Sequence, residues 1–181
     1  MFVGFSPDSK TIAIDDAQNT IKLWDINGKE IKTIKGDSSF IYNGLTFSPD
    51  SKNLATASHD KTIKLWKRDG TLITTLIGHS DVINSLSFSP DSKTLASASN
   101  DKTIKLWKRD GTLITTLTLA SNAVENISFS PDAKTLASAD RNGTVIMWSL
   151  DLDDLLARGC NWLTDYLANH PQTRKKLECQ N

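Results

Sequence analysis

Apolar residues along this chain recur with a period of two, not 3.6. Residues 82–117 show the pattern well. VINSLSFS (82–89) alternates, with Val82, Asn84, Leu86 and Phe88 sharing one face that Asn84 interrupts. A turn at Pro90-Asp91-Ser92-Lys93 leads into TLASAS (94–99), short and built of small residues. After the polar turn Asn100-Asp101 comes TIKLW (103–107), where Ile104 and Leu106 face away from Lys105 and Trp107. Asp110-Gly111 is a hairpin signal, and TLITTL (112–117) follows as a fourth alternating run. Four short strands joined by three tight turns predict a four-stranded antiparallel meander, rich in the β-branched residues that pleated surfaces favour.

The same pattern recurs along the chain. FSPD stands at 5–8, 47–50, 88–91 and 129–132, with spacings of 42, 41 and 41 residues. Trp24, Trp66, Trp107 and Trp148 keep those three spacings. The 17-residue segment DKTIKLWKRDGTLITTL occurs unchanged at 60–76 and 101–117. The chain is therefore a repeat array, and a period near 41 residues admits few architectures. The Thr-rich fourth run, TLITTL, suits an outer strand with a solvated face. The second run carries Ala55, Ala57, Ala96, Ala98, Ala137 and Ala139, small enough for a crowded inner position, as radial packing of blades requires.

After Trp148 the period changes. Leu152, Leu155, Leu156, Cys160, Leu163, Tyr166 and Leu167 form a stripe at helical spacing. Asp151 and Asp154 suit a helix N-terminus, and Pro171 stops the run. An amphipathic helix is expected over 150–170. A tail over 171–181 follows, its Arg174, Lys175 and Lys176 read as solvated.

Composition narrows the function classes. The 181 residues carry 21 Lys+Arg against 21 Asp+Glu. A net charge of zero argues against a general nucleic-acid or anionic-membrane binder. Two cysteines, Cys160 and Cys179, make neither a disulfide framework nor a zinc cluster. No apolar run approaches the ~18 residues of a membrane span, and the first ten residues lack the features of a signal peptide. The expectation is a soluble, cytoplasmic protein.

The tryptophan repeats, together with Gly78-His79 and Trp24-Asp25, resemble the WD-repeat family of β-propellers over residues 1–149. The resemblance implies an all-β fold: a β-propeller of four-stranded antiparallel blades, followed here by the C-terminal α-helix. Four blades are expected, roughly at 1–34, 35–76, 77–117 and 118–149, incomplete at both ends. In this family a His, a Ser or Thr, an Asp and the Trp form a hydrogen-bonded set. The third unit matches at all four positions, with His79, Ser97, Asp101 and Trp107. The second keeps Thr56, Asp60 and Trp66 but has Asp37 for His. The first has Gln18 for Asp, and the fourth has Ala120 and Asn142, so those blades are expected to be less rigid. Buried imidazole, hydroxyl and indole groups need partners, so the set is read as structural, and His79→Ala should cost roughly 1–3 kcal/mol. Residues 151–171 resemble the tail of large cyanobacterial WD-repeat proteins, many of which begin with a nucleotide-binding signalling module.

No phosphate loop, HExxH or Gly-x-Ser-x-Gly appears, and neither His59 nor His170 has a second ligand at metal spacing. No catalytic residue, metal or cofactor is assigned. The resemblance implies a non-enzymatic scaffold whose loops meet a protein or peptide partner, with neither nucleic acid nor membrane as target. The alternative is a sensor or regulatory segment of a larger signalling protein. Family geometry puts Phe40, Tyr42, His59, Asp81, Asn100, Asp140 and Arg141 on one loop face, where the aromatic pair is a candidate anchor. Four blades are few for such a ring, and after Trp148 no hairpin signal introduces an outer strand. The bare ends are expected to be covered partly by the C-terminal helix. The array is further expected to pair with a second copy toward a closed ring, or to belong to a longer chain.

Overall fold

The computed structural model describes residues 3–15, 20–35, 44–118 and 122–151. Alternation makes strands of them, in four antiparallel sheets. The first holds β1 (Val3–Phe5), β2 (Thr11–Asp15), β3 (Thr20–Asp25) and β4 (Glu30–Lys35). The second holds β5 (Leu45–Phe47), β6 (Asn53–Ala57), β7 (Ile63–Lys67) and β8 (Leu72–Leu76). The third holds β9 (Ile83–Phe88), β10 (Thr94–Ser99), β11 (Thr103–Lys108) and β12 (Leu113–Thr118). The fourth holds β13 (Val124–Phe129), β14 (Thr135–Asp140) and β15 (Val145–Ser149), and among the described residues no outer strand follows. Each sheet is a meander in chain order. The first blade has all four strands, its innermost being only three residues long. The helix expected over 150–170 and the tail lie, beyond Asp151, outside the described residues.

Neighbouring sheets meet through β1 and β5, β5 and β9, and β9 and β13, while β6 and β10 pack on the first strand of the following blade. The first strands thus line the inside of the array. The fourth strands stand at its rim, with β12 almost wholly exposed.

Alternation alone suggests one buried face per strand, but both faces are buried here. Ala13, Ile21, Leu23 and Ile34 of blade 1 pack against Leu45, Phe47, Leu54 and Trp66 of blade 2. Ala55, Ala57, Ile63 and Leu65 of blade 2 pack against Ile83, Phe88, Leu95 and Trp107 of blade 3. Ala96, Ala98, Ile104 and Leu106 of blade 3 pack against Val124, Ile127 and Leu136 of blade 4. Each sheet therefore has a trailing face of Ala and aliphatic residues and a leading face bearing the Phe and Trp. In the first three blades the register shifts just before the Trp, between Leu23 and Trp24, Leu65 and Trp66, and Leu106 and Trp107. Fully burying one Trp removes about 150–250 Å² from water, about 4–6 kcal/mol at ~25 cal/mol/Å².

The FSPD motif builds the turn between first and second strands. In blade 1 the Ser6 hydroxyl donates to Asp8 (2.7 Å) and accepts from the Thr11 amide (2.9 Å). Ser89 and Asp91, and Ser130 and Asp132, repeat the pair at 2.6 Å. The Ser hydroxyl is the main reason the carboxyls of Asp8, Asp91 and Asp132 sit below their ordinary range.

The next residue is left-handed yet not glycine, with φ of 58° at Ser51 and 60° at Ser92. The hydroxyl accounts for the choice, because Ser51 accepts the Asp8 amide and Ser92 the Asp50 amide of the preceding blade, each at 3.0 Å. Arginines tie the same junctions. Arg68 donates to Asp8 (2.7 Å) and Thr11 (2.6 Å), and Arg109 donates to Asp50 (3.2 Å). At the third junction Ala133 and Leu150 occupy the Ser and Arg positions, and this clamp is absent.

Candidate functional site

The third blade assembles the buried polar set. His79 lies just before β9, Ser97 on β10, Asp101 in the following turn and Trp107 on β11. The network assigns the protons. Trp107 Nε1–H donates to Ser97 Oγ (2.9 Å), the Ser97 hydroxyl donates to His79 Nε2 (2.7 Å), and His79 Nδ1–H donates to Asp101 Oδ2 (2.8 Å). Asp101 accepts three further bonds, from the Ser80 amide (3.0 Å), the Thr103 amide (3.0 Å) and the Thr103 hydroxyl (2.6 Å). The side chains of His79 and Asp101 are 1% and 6% exposed.

Burial pushes the His79 pKa below its ordinary value, outweighing the opposite pull of the Asp101 carboxylate, so the ring is neutral at pH 7. Burial also opposes the charge on Asp101, but bonds from Thr103, Ser80 and His79 hold that carboxyl low. Gly78 belongs to the same arrangement. A Cβ there would lie 3.0 Å from Trp107 Cη2, so a side chain at this position would press on the indole.

Ser97, His79 and Asp101 have the connectivity of a nucleophile, a base and an orienting acid. The Ser97 hydroxyl is, however, 0% exposed and engaged by both Trp107 and His79. A substrate carbonyl has no path to it in this fold, and the chemistry open to the set is mutual orientation.

Other blades keep parts of the network. Trp66 Nε1 donates to Thr56, and Trp148 Nε1 to Ser138, both at 2.9 Å. In blade 1 the corresponding position is Ile14, opposite Lys22 as Ser97 is opposite Lys105. That blade thus lacks the hydroxyl as well as the Asp, a departure that aligning TIAID with TLASAS reveals. Asp37, Gln18 and Ala120 lie outside the described residues.

The antiparallel order puts second-to-third and fourth-to-first connections at one end of every sheet. His59, Asp81, Asn100 and Arg141 stand in those connections, with Asp140 at the end of β14. Phe40 and Tyr42 lie outside the described residues. Bonds between blades hold this end together. Lys61 Nζ donates to the Ser80 carbonyl (2.9 Å), joining the His59 and Asp81 loops. Asn84, which interrupts the apolar face of its strand, gives one amide hydrogen to Asn100 Oδ1 (2.8 Å) and one to the Val124 carbonyl (2.9 Å). His59 and Asp81 are exposed, and Asn100 is half-buried.

Asp140 turns inward instead. Only 7% exposed, its carboxylate caps its own turn through the amides of Asn142 and Thr144, both at 2.9 Å. Arg141 is exposed and paired with Glu125 at 2.8 Å. On the other end of the sheets, a cleft of about 740 Å³ is lined by Asp50, Lys52, Asn53, Lys67, Arg68 and Arg109. Its two arginines are engaged by Asp8 and Asp50. Among the described residues no cluster of His, Cys, Asp or Glu could hold a metal ion, and no helix is long and apolar enough to cross a membrane.

Comparisons with known proteins agree with this architecture. The family model described as the IFT122 first β-propeller matches residues 1–157. Among solved structures, the crystal structure of RRP9 WD40 repeats superposes with a TM-score of 0.73 at 25% identity, over 81% of this chain and 46% of that one. The chain thus spans less than half of the RRP9 chain it matches. No curated protein matches. WD-repeat propellers generally act as protein-interaction scaffolds and are typically non-enzymatic. With four meanders stacked face to face and a tryptophan per blade, the chain belongs to the WD-repeat β-propeller family.

Proposed function

We propose that this chain is a non-enzymatic scaffold that receives a protein or peptide at the loop end carrying His59, Asp81 and Asn100. One observation carries the reading: this end is held together within and between blades, by Lys61 to Ser80, by Asn84 to Asn100 inside blade 3 and by Asn84 to Val124 of blade 4. A pre-ordered surface loses little conformational freedom on binding, which is how a rigid scaffold turns loop contacts into affinity. Arg141 extends the surface with an exposed guanidinium, whereas Asp140 supports it from beneath. Phe40 and Tyr42 are proposed as its aromatic anchor.

The test is capture from a native lysate on the immobilised full chain, followed by mass-spectrometric identification and a direct binding titration. Combined His59→Ala and Asp81→Ala substitutions should weaken the identified partner at least tenfold with the melting temperature unchanged. Undiminished binding by that variant, with loss on substituting Lys52 and Lys67, would move the interface to the opposite end.

A further inference from the structure

At the FSPD end of the sheets the ion pairs leave some cations over. The ladder between β6 and β7 runs out in a like-charged pair, because Asn53 faces Lys67 and the next amide, that of Arg68, donates to the Lys52 carbonyl (3.0 Å). Like charges directly opposite one another destabilise a sheet unless anions lie close. Asp8 of blade 1 serves Arg68 at 2.7 Å, but Asp50 is engaged by Arg109 of blade 3 at 3.2 Å. Blade 3 shows what that engagement costs Lys52. There the next blade has Leu150 at the arginine position, Asp91 is left to its own turn, and Lys93 pairs with it at 3.9 Å. Lys52, the counterpart of Lys93, makes no ion pair among the described residues, and neither does Lys67.

Both lysines are exposed, and both line the 740 Å³ cleft. Its lining carries Lys52, Lys67, Arg68 and Arg109 against Asp50 and Asp69, a surplus of two positive charges. Ile31 of β4 adds an apolar side chain that is 40% exposed. The cleft lies among blades 1, 2 and 3, where neighbouring sheets already cover one another.

We propose that this cleft binds an acidic peptide segment, with carboxylates on Lys52 and Lys67 and an apolar side chain against Ile31. Two spare cations beside Asp50 and Asp69 suit a few spaced carboxylates. A nucleic-acid backbone instead draws its affinity from neutralising many phosphates, and the two wall carboxylates would repel it. Exposed ion pairs are individually weak, so the apolar contact and the paired lysines act together. The site is separate from the loops of His59 and Asp81, which stand at the other end of the sheets.

The test is an NMR amide-shift titration of the full chain with the peptide Glu-Glu-Leu-Glu-Glu at low ionic strength, where screening is weak. The amides of Lys52, Asn53, Lys67 and Asp69 should shift saturably, and those of His59 and Asp81 should not. Combined Lys52→Ala and Lys67→Ala substitutions alter exposed side chains, so circular dichroism should be unchanged while binding weakens by about fivefold or more. The same peptide with Gln for Glu should leave the wild-type shifts unmoved. No saturable shift at millimolar peptide, or undiminished binding by the double variant, overturns the proposal. So do equal shifts at equal concentration from the Gln peptide, from inorganic phosphate or from oligouridylate. The loop-end reading survives any of these results, since the His59 and Asp81 substitutions test it separately.

Discussion

Replacing His79 with alanine removes the centre of the buried set, and the structure apportions the cost. Asp101 retains three donors, from Ser80 and Thr103, so little of the loss falls there. Ser97 loses the acceptor of its hydroxyl proton, and its alternative, the Lys105 carbonyl, lies at 3.4 Å. A buried polar group stripped of its partner costs about 1–3 kcal/mol. The ring also packs edge-on against Trp107 at a centroid distance of 6.4 Å, a contact of about 0.5–1.5 kcal/mol in such pairs. Together these give about 2–4 kcal/mol.

Urea denaturation followed by tryptophan emission measures this cost, and pH adds a second readout. The unfolded chain protonates His79 near its ordinary value of 6.5, whereas the folded chain resists protonation to lower pH. Stability from His79 is thus fully present above that value and declines as pH falls below it. The gap between wild type and His79→Ala should therefore narrow from pH 7.5 to 5.5. Equal stabilities at pH 7.5, or a gap that widens on acidification, would refute a neutral, fully bonded imidazole.

Three further outcomes are expected. Gly78→Ala should destabilise by about 1–3 kcal/mol in the same assay, since its methyl group would press on Trp107, and a neutral result would show that the indole yields. Ala133→Ser should raise the melting temperature by restoring, at the third junction, the hydroxyl that accepts the preceding Asp amide at the first two. Its gain, about 0.5–1 kcal/mol for one hydrogen bond, is readable by calorimetry. Asn84→Ala should loosen blade 4 from blade 3, with amide exchange in β13 rising while exchange in β6 stays unchanged.

The meander was legible because its signals are local. Alternation, the Asp-Gly hairpins and the repeated FSPD place strands within a residue or so, as TLITTL against Leu113–Thr118 shows. The four members of the polar set could be named from repeat register, because each occupies a fixed place in its unit. Asn84 could not be understood that way. In sequence it is a flaw in an apolar face, and its purpose appears only when the Val124 carbonyl of the next blade comes within 2.9 Å. Asp140 looked like a loop residue and proved to be a buried cap. Nothing local in the sequence marks Arg68 and Arg109, yet they tie one blade to the preceding one.

Sequence alone determined the repeat, the strand order within each blade and the residues able to form the buried set, because these depend on contacts within about forty positions. The tertiary structure decided which faces are interior. A strand with apolar side chains on both sides has no preferred side until sheets stack, and here stacking buries both. It also decided which polar groups are committed, since most of the hydrogen bonds between blades join residues some forty or sixty positions apart. The same stacking leaves Phe5 and Met147 exposed at opposite ends of the array, although their repeat equivalents Phe47 and Leu106 are buried.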